Sequence, residues 1–153
     1  MSSDFDVMVA GHICLDIRPD LSSAERKPFE DIFLPGHLVS CGPVMYSTGG
    51  AVANTGLALD RLGVKTRLVA KVGDDLFGKA ICQALASHGE NLLDGMATDA
   101  TNKTSYTIII SYPGVDRIFL HYPGANDTFQ ASDVPYTLLR QARLFHFGYP
   151  PVM

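Results

Sequence analysis

The sequence predicts an α/β fold: a parallel sheet covered by helices. Short apolar runs that end in glycine alternate with segments of helical periodicity along a chain of 153 residues, the pattern of repeated βα units. Apolar residues make up 46% of the chain and charged residues 18%, enough to build a core and ordinary for a globular domain.

Phe5 to Gly11 is a short apolar run closed by glycine and reads as a buried strand. Residues 18 to 31 are polar, charged and proline-bearing, which predicts a loop. From Ile32 to Thr48, β-forming residues are mixed with Pro35, Gly36, Gly42 and Pro43, so short broken strands are expected. Residues 50 to 62 have helix composition, with Gly63 as the stop. The small residues Ala51, Ala53, Gly56 and Ala58 predict a helix buried along much of its length.

Thr66 to Val72 reads as the next strand. Phe77, Ala80, Ile81, Ala84, Leu85 and His88 then follow helical spacing up to Gly89. Thr104 to Tyr112 and Arg117 to Tyr122, joined through Pro113 and Gly114, predict a hairpin. Ser132 and Asp133 before Val134 and Pro135 predict a capped helix start. Leu144 to Phe147 reads as a last strand. The chain then ends at Pro150-Pro151-Val152-Met153 without a following helix, which predicts a fold cut in its middle.

The formal net charge is -4 and no basic run exists, which argues against a nucleic-acid partner. The three cysteines and five histidines are scattered, so neither a disulfide framework nor a zinc knuckle is expected. Two acids and no basic residue precede Val7, unlike a signal peptide, and no apolar stretch is long enough to span a bilayer. A cytoplasmic protein without a membrane partner is the expectation.

The most informative segment is Gly49-Gly50-Ala51-Val52-Ala53-Asn54-Thr55-Gly56. Paired glycines let backbone approach a ligand closely, and a helix opening there turns unpaired N–H groups toward it. Asn54, in the first turns of that helix, offers an amide to ligand hydroxyls. The same residues also suit a tight turn with a structural asparagine. Asp16 follows the first strand, where open α/β sheets gather ligands, and its carboxylate can accept bonds from neighbouring hydroxyls. A solvated loop aspartate is the plainer alternative. In Gly73-Asp74-Asp75-Leu76-Phe77-Gly78 the acids read as helix caps. No Walker-type phosphate loop is present, and no GxGxxG follows the first strand, which argues against a dinucleotide-binding oxidoreductase.

Gly49-Gly50, Asn54, Gly63 and Gly73 resemble the first signature of the ribokinase (PfkB-like) family. Gly11 through Asp16, the run Gly73 to Gly78, and Gly124-Ala125-Asn126 resemble that family in the same order, so the likeness covers nearly the whole chain. Val52 and Gly56 depart from the usual signature. The resemblance implies a three-layer α/β sandwich with a small β-sheet lid, residues 1–153 being its amino-terminal half and segments 32–48 and 104–122 the lid. It implies transfer of the ATP γ-phosphoryl group to a hydroxymethyl oxygen of a sugar, nucleoside or related molecule. Asp16, Gly49, Gly50 and Asn54 would bind the acceptor, with Thr104 and Tyr106 as further lid contacts. ATP and Mg2+ would be held mainly by a missing half, and the lid would also serve a homodimer.

The family's catalytic aspartate closes a second signature, Asp-Thr-x-Gly-Ala-Gly-Asp, whose glycines open an anion-binding helix. Asp127-Thr128-Phe129-Gln130-Ala131-Ser132-Asp133 imitates it, but Gln130 and Ser132 stand where glycines are needed. No catalytic residue is therefore assigned, and the segment alone is expected to be inactive. A non-catalytic ligand-binding or dimerisation module is the alternative.

Overall fold

The structure is a computed structural model that describes residues 5–22 and 28–150. The elements are β1 (Val7–Gly11), β2 (Cys14–Pro19), α1 (Phe29–Ile32), β3 (Val44–Gly49), α2 (Gly50–Arg61), β4 (Thr66–Gly73), α3 (Leu76–Ala86), β5 (Gly95–Asp99), β6 (Tyr106–Ile110), β7 (Ile118–Tyr122), α4 (Tyr136–Leu139) and β8 (Leu144–Gly148). They form two four-stranded sheets.

The first sheet has the order β5-β4-β1-β8 and is parallel throughout. Its central strands are covered on both faces, which is why β1 and β4 are nearly continuous apolar runs. Alternate residues divide the core. Val7, Val9, Leu68, Ala70 and Val72 face α2 and α3, where Val52, Ile81 and Leu85 meet them. Met8, Ala10 and Val69 face the other way, against Phe5 and Val134, with Phe129, Leu138 and Leu139 packed around them. Helix, sheet and covering segment make the three layers that were expected. Each fully buried large aliphatic side chain contributes about 1.5–3 kcal/mol.

The second sheet has the order β3-β2-β6-β7. β2 pairs antiparallel with β3 and parallel with β6, and β6 pairs antiparallel with β7 as the expected hairpin.

Several local expectations are corrected. Residues 18–22 and 28–31 are not all loop: β2 runs to Pro19 and Phe29 begins one helical turn. Residues 23–27 of that predicted loop lie outside the described residues, as do Pro151, Val152 and Met153. The broken strands expected over 32–48 reduce to β3, because Pro35, Gly36, Gly42 and Pro43 interrupt pairing before Val44. α2 buries Ala51, Val52, Ala53 and Gly56 fully, and its far half is half-buried, with Leu57 and Leu59 packed against the core. The helix expected at Ser132 is a short 3-10 turn, Ala131–Asp133, followed by α4. Ser132 caps nothing; the Asp133 carboxylate instead accepts from the Gln130 N–H at 2.7 Å and pairs with the Lys71 ammonium at 2.8 Å.

Candidate functional site

β1 and β8 end side by side, with Gly11 opposite Gly148. Beyond those carboxyl ends lies a cavity of about 820 Å3, bounded also by α2 and one face of the second sheet. Asp16, Gly50 and Asn54 all line it. Gly49 stands directly behind, since a Cβ there would run into the Asp16 carboxylate. Four residues from three elements, β2, β3 and α2, thus meet at one place.

The local backbone explains the meeting. Gly50 has φ +86°, a left-handed conformation that disfavours a side chain, and a Cβ there would lie 2.6 Å from the His12 ring. That tight turn carries the chain from β3 straight into α2. The Val52 N–H, one of the helix's unpaired donors, bonds the His12 carbonyl at 3.0 Å and so fixes the helix start against the end of β1. Asn54 is exposed rather than buried, and its amide is directed to the cavity rather than to the core.

Asp16 sits on a strand, not in a loop. Its row across the second sheet runs Asp16, Thr107, His121, and all three side chains line the cavity. Strand alternation sends the neighbouring row, Leu15, Tyr106 and Tyr122, to the opposite face. Tyr106 therefore does not reach the cavity: it packs edge-on against Phe77, with centroids 5.7 Å apart. Thr104 is not brought there either. Its hydroxyl bonds the Asp75 carboxylate at 2.7 Å and accepts from the Gly73 N–H at 2.8 Å. Both residues border a separate hollow of about 380 Å3 with Asp75 and Phe77.

Asp75 is the cap the sequence suggested, accepting from the Gly78 N–H at 2.9 Å. Burial works against its charge, but bonds from Thr104 and Gly78 prevail and hold the carboxyl below its ordinary value. The imitation signature lies elsewhere: Phe129 packs in the second core, and the Thr128 hydroxyl bonds the Asp99 carboxylate at 2.9 Å.

The sequence did not mark His12, Cys14, Thr107, His121 or Tyr149, yet all line the cavity. Cys14 shares the Asp16 face of β2, with Sγ 3.3 Å from the carboxylate. Burial first and the Asp16 charge second push its thiol up to about 12, so it is no nucleophile. Burial and the neighbouring His121 press His12 down to about 4. Tyr149 is a non-glycine residue at φ 64°, a strained position of the kind that collects at sites. Alternation along β2 would have found Cys14 had that strand been recognised.

Asn126, fully buried, holds this corner together. Its amide donates to the Ile13 carbonyl at 2.9 Å and accepts from the Ile13 N–H at 3.3 Å. It thereby clamps the link between β1 and β2 that carries His12, Cys14 and Asp16.

The described cavity lining contains one carboxylate and no Lys or Arg. It suits the hydroxyls of an uncharged polyol and does not fit a polyphosphate. Among the described residues no group of three His, Cys, Asp or Glu side chains is placed to hold a metal ion, and no helix is long and apolar enough to cross a membrane.

Comparison with known proteins agrees with this geometry. The chain is 27% identical over 140 residues to probable fructokinase-5 of Arabidopsis thaliana, covering 90% of this chain and 39% of that protein. It is 33% identical over 102 residues to the fructokinase of Solanum tuberosum, covering 65% and 32%. The chain thus spans about two fifths or less of the curated relatives it matches. Its fold is shared with Arabidopsis thaliana ribokinase complexed with ribose and ATP, at a TM-score of 0.74 and 22% identity over 94% of this chain and 45% of that one. Xylella fastidiosa fructokinase with bound ATP gives a TM-score of 0.68 at 22% identity, covering 94% and 42%. The family profile for pfkB family carbohydrate kinase matches residues 6–151, and the chain belongs to that family.

Proposed function

We propose that this chain is the acceptor-binding part of a cytoplasmic, ATP-dependent kinase that phosphorylates a hydroxymethyl group on a sugar, nucleoside or related small molecule. The observation that carries the reading is the single cavity into which Asp16, Gly50 and Asn54 open, with Gly49 behind the carboxylate. Asp16 accepts bonds from neighbouring acceptor hydroxyls, and Asn54 both donates and accepts. The glycines keep the start of α2 within reach of the same molecule. The second sheet serves as a lid that excludes water from the phosphoryl donor. Positioning of this kind is the main contribution of protein to phosphoryl transfer.

In this proposal the segment lacks the catalytic base, and ATP with Mg2+ is held mainly by sequence outside it. When bound, that pair supplies the phosphoryl group and neutralises its charge. The outer strip of the second sheet exposes Val44, Tyr46, Ile118 and Leu120, which supports a homodimer through the lid.

A coupled kinase assay with a panel of sugars and nucleosides tests the function. The protein expressed from its natural reading frame is expected to phosphorylate at least one acceptor, and Asp16→Asn to lower kcat/KM by about 10- to 100-fold, as when a charged hydrogen bond to substrate is lost. The 153-residue chain alone is expected to transfer nothing. Equal turnover by Asp16→Asn would remove the basis of the reading.

A further inference from the structure

Three imidazoles line the cavity, those of His12, His121 and His146, and the first two face one another. His12 follows the end of β1 and is 5% exposed, and its buried Nε2 has no hydrogen-bond partner. His121 comes from β7, with its ring centroid 5.3 Å from that of His12. A buried polar atom without a partner is uncommon, and beside a ligand cavity it marks a place where a ligand atom belongs.

Thr107 anchors His121: its oxygen lies 2.9 Å from His121 Nδ1, and its hydroxyl donates to Cys14 Sγ at 3.7 Å. The contact at Nδ1 fixes the ring and leaves Nε2 for another partner. His12 is kept neutral by burial and by its neighbour. Asp16 is the one carboxylate among the described lining residues, which hold no Lys or Arg, and it repels an anionic acceptor.

Building on the function proposed above, we infer that His12 and His121 are specificity-determining residues whose Nε2 atoms bind uncharged oxygens of the acceptor, selecting a neutral polyol over a phosphorylated or carboxylated one. A hydroxyl both donates and accepts, so it serves either imidazole. A phosphate group would meet Asp16 with no Lys or Arg among the described lining residues to offset it.

Calorimetric titration of the protein expressed from its natural reading frame tests this, with D-fructose, D-ribose and D-fructose 6-phosphate as probes. Asparagine reproduces the position of Nδ1 but removes Nε2, whereas glutamine reaches the Nε2 position. His121→Asn would therefore keep the Thr107 bond while losing the outer nitrogen. His12→Asn and His121→Asn are expected to raise Kd for the better neutral sugar about tenfold, the usual effect of one lost hydrogen bond. His12→Gln and His121→Gln should stay within about threefold of the parent, a rescue that a merely structural role would not give. D-fructose 6-phosphate should bind more weakly than D-fructose. Should His12→Asn fail to fold, by its melting curve, exposed His121 decides the matter alone. Unchanged Kd in the asparagine variants, with Asp16→Asn still impaired, would overturn this inference and leave the function standing. So would tighter binding of the 6-phosphate. If none of the three sugars binds the parent protein, this inference falls, and the function is decided by the nucleosides of the kinase panel.

Discussion

At Gly49 a single missing methyl decides whether the Asp16 carboxylate keeps its place, because a Cβ there would collide with it. Gly49→Ala is expected to weaken acceptor binding about tenfold or more while moving the melting temperature only a few degrees, since the displaced group is a part-exposed side chain. Equal loss of stability and binding would point to a purely structural glycine. His12 gives a pH signature. Its value is lowered from 6.5 to about 4, so between those limits the unfolded chain binds more protons than the folded one. Stability then rises with pH across that window and is lost as pH falls from about 6.5 toward about 4, with nothing further from this group below that. Denaturant unfolding at a series of pH values should show a shallower slope in His12→Asn. An unchanged slope would remove His12 from the account.

Legibility at this scale followed chemistry. Asp16, Gly49, Gly50 and Asn54 are conspicuous residue types at conspicuous spacing. His12, Thr107 and His121 are ordinary residues whose meaning depends on strand pairing, and register is not written in local composition. Tyr106 shows the same limit from the other side: the hairpin was evident, but a one-residue parity places it on the face away from the cavity.

At the scale of elements, long patterned segments were readable and short ones were not. β1, α2, β4, α3, the hairpin and β8 carry clear periodicity or an uninterrupted apolar run. β2 was missed because Asp16 and Arg18 make it look like a loop; its burial fades from Cys14 to Pro19 without alternation, and only pairing with β3 and β6 turns it into a strand. β5 was missed for a similar reason, lying at the edge of its sheet with a half-exposed pattern. The segment Gly124–Thr128 joins these layers, since Asn126 grips both the N–H and the carbonyl of Ile13. Asn126→Ala leaves two buried backbone groups without partners and is expected to cost about 2–3 kcal/mol in urea unfolding. A cost below about 0.5 kcal/mol, typical of surface changes, would show that the clamp is not needed.

For the whole molecule, the parallel sheet is the frame and the second sheet is one wall of the cavity. The cavity exists because β1 and β8 stop together, α2 starts beside them, and β2 leaves the first sheet to join the second. The apolar outer strip of that second sheet supports self-association. Sedimentation velocity is expected to find a dimer of the natural protein, with Tyr46→Asp or Leu120→Asp shifting it toward monomer. A monomeric parent would remove the proposed dimer without touching the cavity.

The most direct measurement is a crystal structure of the natural protein with an accepted sugar bound. The account predicts sugar hydroxyls within hydrogen-bond distance of both the Asp16 carboxylate and the Asn54 amide, beyond the ends of β1 and β8. A sugar seated instead in the hollow beside Asp75, Phe77 and Tyr106, with Asp16 and Asn54 untouched, would contradict it.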